Sequence, residues 1–215
     1  MIKVDAATVL LQWAAGGLLF LWFTTRRREV GIGYGWLLRG TNILLAVGAA
    51  VLGFRFGTVP VREASSIAVA VVALFALVVS VVRRKAGVAG QDAEHDRRSE
   101  RVAAMTGIDR AVAERSAGAE RGREFPPLLD LLSVLVAVPG LIAAGIDAGG
   151  NAWVSVLRTF ASAAFLGAVT DAMLLGHWYL VQPGLARGPL LELVRWTQWI
   201  WPFEVLVMLV RCRRG

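Results

Sequence analysis

The chain has 215 residues, 56% of them hydrophobic, and its 23 Lys and Arg against 16 Asp and Glu leave a formal net charge of +7. A mean hydropathy of +0.60 excludes an ordinary soluble domain, whose interior is too small to hide so much apolar surface. The single cysteine, Cys212, excludes a disulfide framework and a cysteine metal cluster.

A hydrocarbon core roughly 30 Å thick takes about 20 helical residues to cross. Six apolar runs approach or exceed that length: Ala6 to Thr24, Gly35 to Phe54, Ser66 to Val82, Leu128 to Ile146, Val154 to Val181 and Leu190 to Val210. They are continuously apolar and do not alternate, which rules out a barrel. The expected fold is all-α, a polytopic transmembrane bundle of about six spanning helices. Residues 1–82 hold the first three, 83–125 a polar cytoplasmic loop, and 126–215 the last three with a basic tail.

The first run ends on Arg26, Arg27 and Arg28, not on a small-residue cleavage site, and reads as a retained anchor. Basic residues near short loops stay cytoplasmic. The expected protein is therefore multi-pass in the cell (inner) membrane, with its N-terminus outside and the 83–125 loop inside. Arg83, Arg84, Lys85 and Arg187 agree with that orientation, and Arg55 and Arg62 fall outside. Six crossings also put Arg211, Arg213 and Arg214 outside, against the usual bias. The positive charge is accounted for by topology and anionic lipid, so the bilayer is the expected partner and nucleic acid is not.

Within the loop, Val102, Met105, Ile108 and Val112 recur at helical spacing among charges. Asp96 to Glu120 is therefore expected to form an amphipathic helix on the membrane or on a protein partner. His95 stands beside Asp92, Glu94 and Asp96, but adjacent positions do not share a helix face and no metal is expected there.

Ionisable residues inside spans are costly, by about 2.5–3.5 kcal/mol each at mid-helix, and they are the candidate site. Arg39 follows Tyr34 and Trp36 closely enough for its stem to snorkel to the cytoplasm, or it faces a carboxylate. Asp130, after Phe125-Pro126-Pro127, suits the positive end of its helix dipole. Asp171 shares a small-residue face with Ala164, Gly167 and Ala168, where another helix packs closely. It reads either as half of an interhelical hydrogen bond or ion pair, or as a proton or cation carrier. His177, in Gly176-His177-Trp178-Tyr179, stands about 120° around the helix from Asp171. It belongs to an interfacial aromatic belt or, with Met173, is a ligand for haem or a partner for quinone.

Glu192 and Arg195 are spaced to pair with each other. Glu204 follows the kinking Pro202 by two residues, an arrangement found beside binding cavities and in plain packing alike. All but Glu204 fall in the cytoplasmic half, which suggests a polar pocket opening inward between helices two, four, five and six. Trp196, Trp199 and Phe203 are placed to form an aromatic wall of it.

No nucleotide-binding loop, zinc-protease helix or nucleophile elbow is present, so whether the chain is an enzyme stays open. Three functions fit. The first is a non-catalytic subunit or anchoring partner of a membrane complex, with another protein or a second copy as partner. The second is a small proton-coupled transporter using Asp171. The third is a redox-chain subunit binding haem or quinone near His177.

Overall fold

The computed structural model describes residues 5–84, 101, 102, 104, 105, 125–182 and 185–212. Six long helices appear: α1 (Ala6–Thr25), α2 (Ile32–Phe56), α3 (Pro60–Val82), α4 (Leu128–Asp147), α5 (Ala152–Val181) and α6 (Gly188–Cys212). No strand occurs among the described residues. Five of the helices, α1 to α5, are long and apolar enough to cross a membrane, and the protein is a membrane-embedded helical bundle. The sixth has the length, but it carries Glu192, Arg195, Glu204 and Arg211. The amphipathic helix expected over 96–120 lies outside the described residues, except for 101, 102, 104 and 105, which are helical.

Local chemistry sets the helix starts. Asp5 caps α1 by accepting the Thr8 amide at 2.8 Å, and Asn151 caps α5 by accepting the amides of Trp153 and Val154; each cap satisfies donors that the first turn leaves orphaned. The third helix begins six residues before the expected Ser66. Pro60 suits the first helical position, where its missing N–H costs nothing. The charges at 62 and 63 neutralise each other within it.

Helix α1 is the axis of the bundle. Its buried residues run all the way round, from Leu11 through Ala14, Ala15, Gly16 and Gly17 to Leu21, and it packs against α2, α4 and α5. A helix apolar on every side belongs in the interior. The glycines let two neighbours approach it. A Cβ on Gly16 would sit 1.9 Å from the Ala163 carbonyl oxygen, and one on Gly167 would sit 2.1 Å from the Gly16 carbonyl carbon. Backbone therefore lies on backbone where α1 meets α5, the close crossing that small residues four apart permit. Gly17, one residue on, makes room for Asn42 of α2. Polar ties reinforce the contact, since Gln12 donates to the Thr159 carbonyl at 3.2 Å and Trp13 to the Thr170 hydroxyl at 2.9 Å.

Helix α6 stands on the flank, packed on α5 and touching α1 lightly. Glu192 meets Arg26 and Arg27 where α1 ends, and Glu204 meets Ser162 well back along α5. The helix thus runs antiparallel to α5 along most of the bundle.

Candidate functional site

The polar residues singled out by sequence do not converge on one pocket. Arg39 and Asp130 are brought together: Nε donates to Oδ1 at 2.7 Å and Nη2 to Oδ2 at 2.6 Å, with the side chains 2% and 0% exposed. The arginine does not snorkel, and the aspartate holds a guanidinium as well as the dipole of its own helix. Ser80 of α3 accepts from Arg39 Nη1 at 3.4 Å and from Trp36 Nε1 at 3.0 Å, and the Phe125 ring lies 4.1 Å from the guanidinium carbon. This two-pronged pair clasps α2, α3 and α4. It borders a cavity of about 50 Å³ lined by Thr25, Arg28, Gly31, Ser80 and Arg83. That cavity is framed by the ends of α1 to α4, not by the fifth and sixth helices as expected.

Glu192 pairs with Arg26 and with Arg27, the latter at 3.4 Å, and not with Arg195. Its neighbour three residues on is left exposed on the outer side of α6. The pairing across the bundle wins because Arg26 is held at the end of α1, where it also packs over Phe23.

Asp171 is fully buried, and among the described residues neither carboxylate oxygen has a hydrogen-bond partner. The expected interhelical partner for the carboxylate is not there. Only its backbone is tied to another helix, through the Tyr34 hydroxyl, which donates to the Asp171 carbonyl at 3.2 Å. The small-residue face does pack as expected, with Gly167 and Ala168 buried beside it.

The His-Trp-Tyr cluster divides. Trp178 donates to Gln182 at 3.1 Å and Tyr179 to the Ala186 carbonyl, so both fasten the turn between α5 and α6. His177 and Met173 are exposed on the other side. The His177 Nδ1 lies 2.9 Å from the Met173 carbonyl oxygen, so the backbone of Met173, and not its sulfur, is what the imidazole meets. Trp196, Trp199 and Phe203 are likewise 40%, 79% and 43% exposed and wall no interior pocket.

Glu204, two residues after Pro202 inside α6, borders a cavity. Ser162 donates to its Oε1 at 2.6 Å, and the cavity, about 370 Å³, is lined by Gln12, Ser155, Arg158, Thr159, Ser162 and Glu204. Arg158 was missed by the sequence reading, although an arginine early in the fifth run is the signal that marks the others.

A second cluster was missed at the opposite end from Arg39. The buried Arg62 of α3 donates to Glu63 through Nε at 3.0 Å and Nη2 at 2.7 Å, to Asp5 and Thr8 through Nη1 at 2.5 Å and 3.0 Å, and to the Gly57 carbonyl at 2.6 Å. It ties the start of α1 to the turn between α2 and α3. The arginine expected in an outer loop is thus inside a helix. Burial would push the Asp5 carboxyl up, but its hydrogen bonds with Thr8 and Arg62 outweigh that and hold it below the usual carboxylate range. A depressed folded value stabilises above the unfolded value and is lost as pH falls through the folded one. Thermal unfolding of wild type and Asp5→Asn, followed from neutral pH into acid, should show a stability gap that closes below about pH 4. A gap that stays constant would detach Asp5 from the cluster.

Among the described residues no group of three His, Cys, Asp or Glu side chains is arranged to hold a metal ion. Among the described residues the bundle holds two buried ion clusters, a buried acid, Asp171, whose carboxylate has no hydrogen-bond partner, and a polar cavity at its flank. No family model matches the chain, and neither a curated protein nor a solved structure does.

Proposed function

We propose that the protein is a non-catalytic subunit of a membrane complex and that the outward face of α6 is where its partner docks. One observation carries the reading. In the middle of α2, α3 and α4 the exposed side chains are apolar, among them Leu37, Leu44, Ile67, Leu74, Leu135 and Ile142, as contact with hydrocarbon demands. Helix α6 breaks the pattern. Arg195 and Gln198 are exposed there, three residues apart on one face, with Trp199 beside them at 79% exposure. In hydrocarbon an amide without a partner and a guanidinium away from water both cost free energy. A second helix laid along the stripe removes both costs.

The occupant this chemistry selects is a transmembrane helix of another chain carrying a carboxylate level with Arg195. Two copies of α6 facing through the same stripe would set Arg195 against Arg195, a like-charge contact that disfavours self-pairing. In this reading the Arg39–Asp130 pair is a structural clasp, and the arginines after α1 support a cytoplasmic setting for that end of the bundle.

A photoreactive amino acid at Trp199, activated in native membranes, tests the reading, with Leu74 on the opposite flank as the lipid-facing control. The expected product at 199 is one heteromeric adduct whose cross-linked peptide is a transmembrane segment with an Asp or Glu. Arg195→Glu should abolish it, and Gln198→Leu should weaken it by about 0.6–2 kcal/mol, the range for interhelical hydrogen bonds in membranes. Lipid adducts alone at both positions would overturn the reading, and an adduct of twice the chain mass would replace the foreign partner with a second copy.

A further inference from the structure

We propose that the cavity between α1, α5 and α6 binds a small zwitterion, a molecule presenting an ammonium group and an oxyanion on an apolar body. The inference rests on the lining of that cavity and not on the outward face of α6, so it stands or falls separately from the docking proposal.

The cavity measures about 370 Å³, within the range of small-molecule sites, about 300–1,000 Å³. Three helices supply its polar groups: Gln12 from α1, Ser155, Arg158, Thr159 and Ser162 from α5, and Glu204 from α6. Most of these are already committed. Ser155 donates to the Gly149 carbonyl at 2.7 Å, Thr159 to the Ser155 carbonyl at 2.9 Å, and Gln12 to the Thr159 carbonyl at 3.2 Å. The two charges are different. Among the described residues no ion pair joins Arg158 to Glu204, although both line the one cavity.

Glu204 is 6% exposed, and only one of its oxygens is satisfied. Oε1 accepts from Ser162 at 2.6 Å, whereas the buried Oε2 has no hydrogen-bond partner among the described residues. A buried carboxylate oxygen without a donor is costly, and an ammonium group supplies donors. The terminal torsion of a glutamate is soft, so the carboxylate can turn into the cavity without moving α6. Pro202, two residues before, has already removed a backbone hydrogen bond from this stretch of helix.

A ligand with a single charge would leave either Arg158 or Glu204 unmatched in a region of low dielectric. A zwitterion matches both, its ammonium on Glu204 and its oxyanion on Arg158, and remains neutral overall. Val9, Phe165, Leu166 and Met208 complete the lining and suit an aliphatic body. Two sources offer this chemistry: a free amino acid, and the headgroup of an ethanolamine phospholipid.

The test is calorimetric titration of the full-length protein, delipidated in detergent, with a panel of free L-amino acids and with a short-chain phosphatidylethanolamine. Each probe is run beside analogues lacking the amine or the acid. Saturable binding of a zwitterion is expected. Loss of either charged contact, by Glu204→Gln or Arg158→Gln or by using a single-charge analogue, should weaken it about tenfold or more, the equivalent of one charged hydrogen bond. Leu166→Trp, which fills the cavity and leaves both charges in place, should abolish binding, and it keeps the test decisive if a charge variant fails to fold. A response to amino acids alone assigns the free ligand, and a response to the phospholipid alone assigns the headgroup. Equal binding of the amine-only analogue, insensitive to Arg158→Gln, overturns the proposal in favour of a simple cation site. No saturable binding by folded protein also overturns it, leaving a water-filled cavity.

Discussion

Asp130→Ala is expected to destabilise the bundle by about 3–5 kcal/mol, the usual penalty for stranding one partner of a buried ion pair. Arg39 is 2% exposed, and without the carboxylate its charge is stranded in the bundle. Its remaining contacts, a 3.4 Å one with Ser80 and the face of the Phe125 ring, do not replace a carboxylate held by two prongs. Removing both charges is a different experiment, because nothing is then stranded. The double variant Arg39→Leu with Asp130→Leu should recover most of the loss, since well-packed apolar groups often match a buried ion pair in stability.

Asp171→Asn provides the contrast. Among the described residues its carboxylate has no partner to lose, and a neutral amide costs less to bury than a carboxylate, so stability should be unchanged or raised. Equilibrium unfolding in mixed micelles measures all of these. A double variant no more stable than Asp130→Ala would mean the pair is not the clasp, and a loss at Asp171→Asn comparable to that at Asp130 would mean that the Asp171 carboxylate is paired.

The second large effect is expected at the crossing of α1 and α5. Gly16→Val and Gly167→Val should each cost more than about 3 kcal/mol, beyond the ordinary range for overpacking. The new Cβ atoms would lie 1.9 Å and 2.1 Å from backbone atoms of the facing helix. A side chain in the way can change rotamer, but a carbonyl inside a helix cannot move unless the helix does. The two axes must therefore part, and the hydrogen bonds from Gln12 and Trp13 to α5 part with them.

Gly176→Ala on the same helix is the control. A Cβ there meets nothing within 4 Å, and relief from glycine in a helix interior should stabilise by about 0.5–1 kcal/mol. Unfolding of the three variants in one detergent separates a packing effect from a change in helix propensity. Equal behaviour at positions 167 and 176 would remove the close crossing from the account of this fold.

The contrast between Gly167 and Gly176 also marks what a one-dimensional reading reaches. Both glycines sit in the fifth run, and the small-residue face of Ala164, Gly167 and Ala168 marked the first for close packing, but only the structure shows that it is pressed against the backbone at Gly16 and that Gly176 faces open space. The helices themselves were legible without a partner. A continuous apolar run of about 20 residues must satisfy its backbone hydrogen bonds internally once it enters hydrocarbon, and that condition is met within each segment. The boundary that shifted furthest did so where local chemistry was richer than hydropathy, at Pro60 with Arg62 and Glu63.

Partner choice was not legible. Arg39 finds Asp130 across 91 residues, Glu192 takes Arg26 in place of the nearby Arg195, and among the described residues the Asp171 carboxylate takes no side chain. Helical periodicity says which residues share a face and is silent on which helix that face will meet. What the sequence by itself determined about this protein was its solvent, its helices and the short list of costly polar residues. Which of those residues are paired, which line a cavity and which face outward was decided only by the tertiary structure, because those outcomes depend on contacts between segments far apart in the chain.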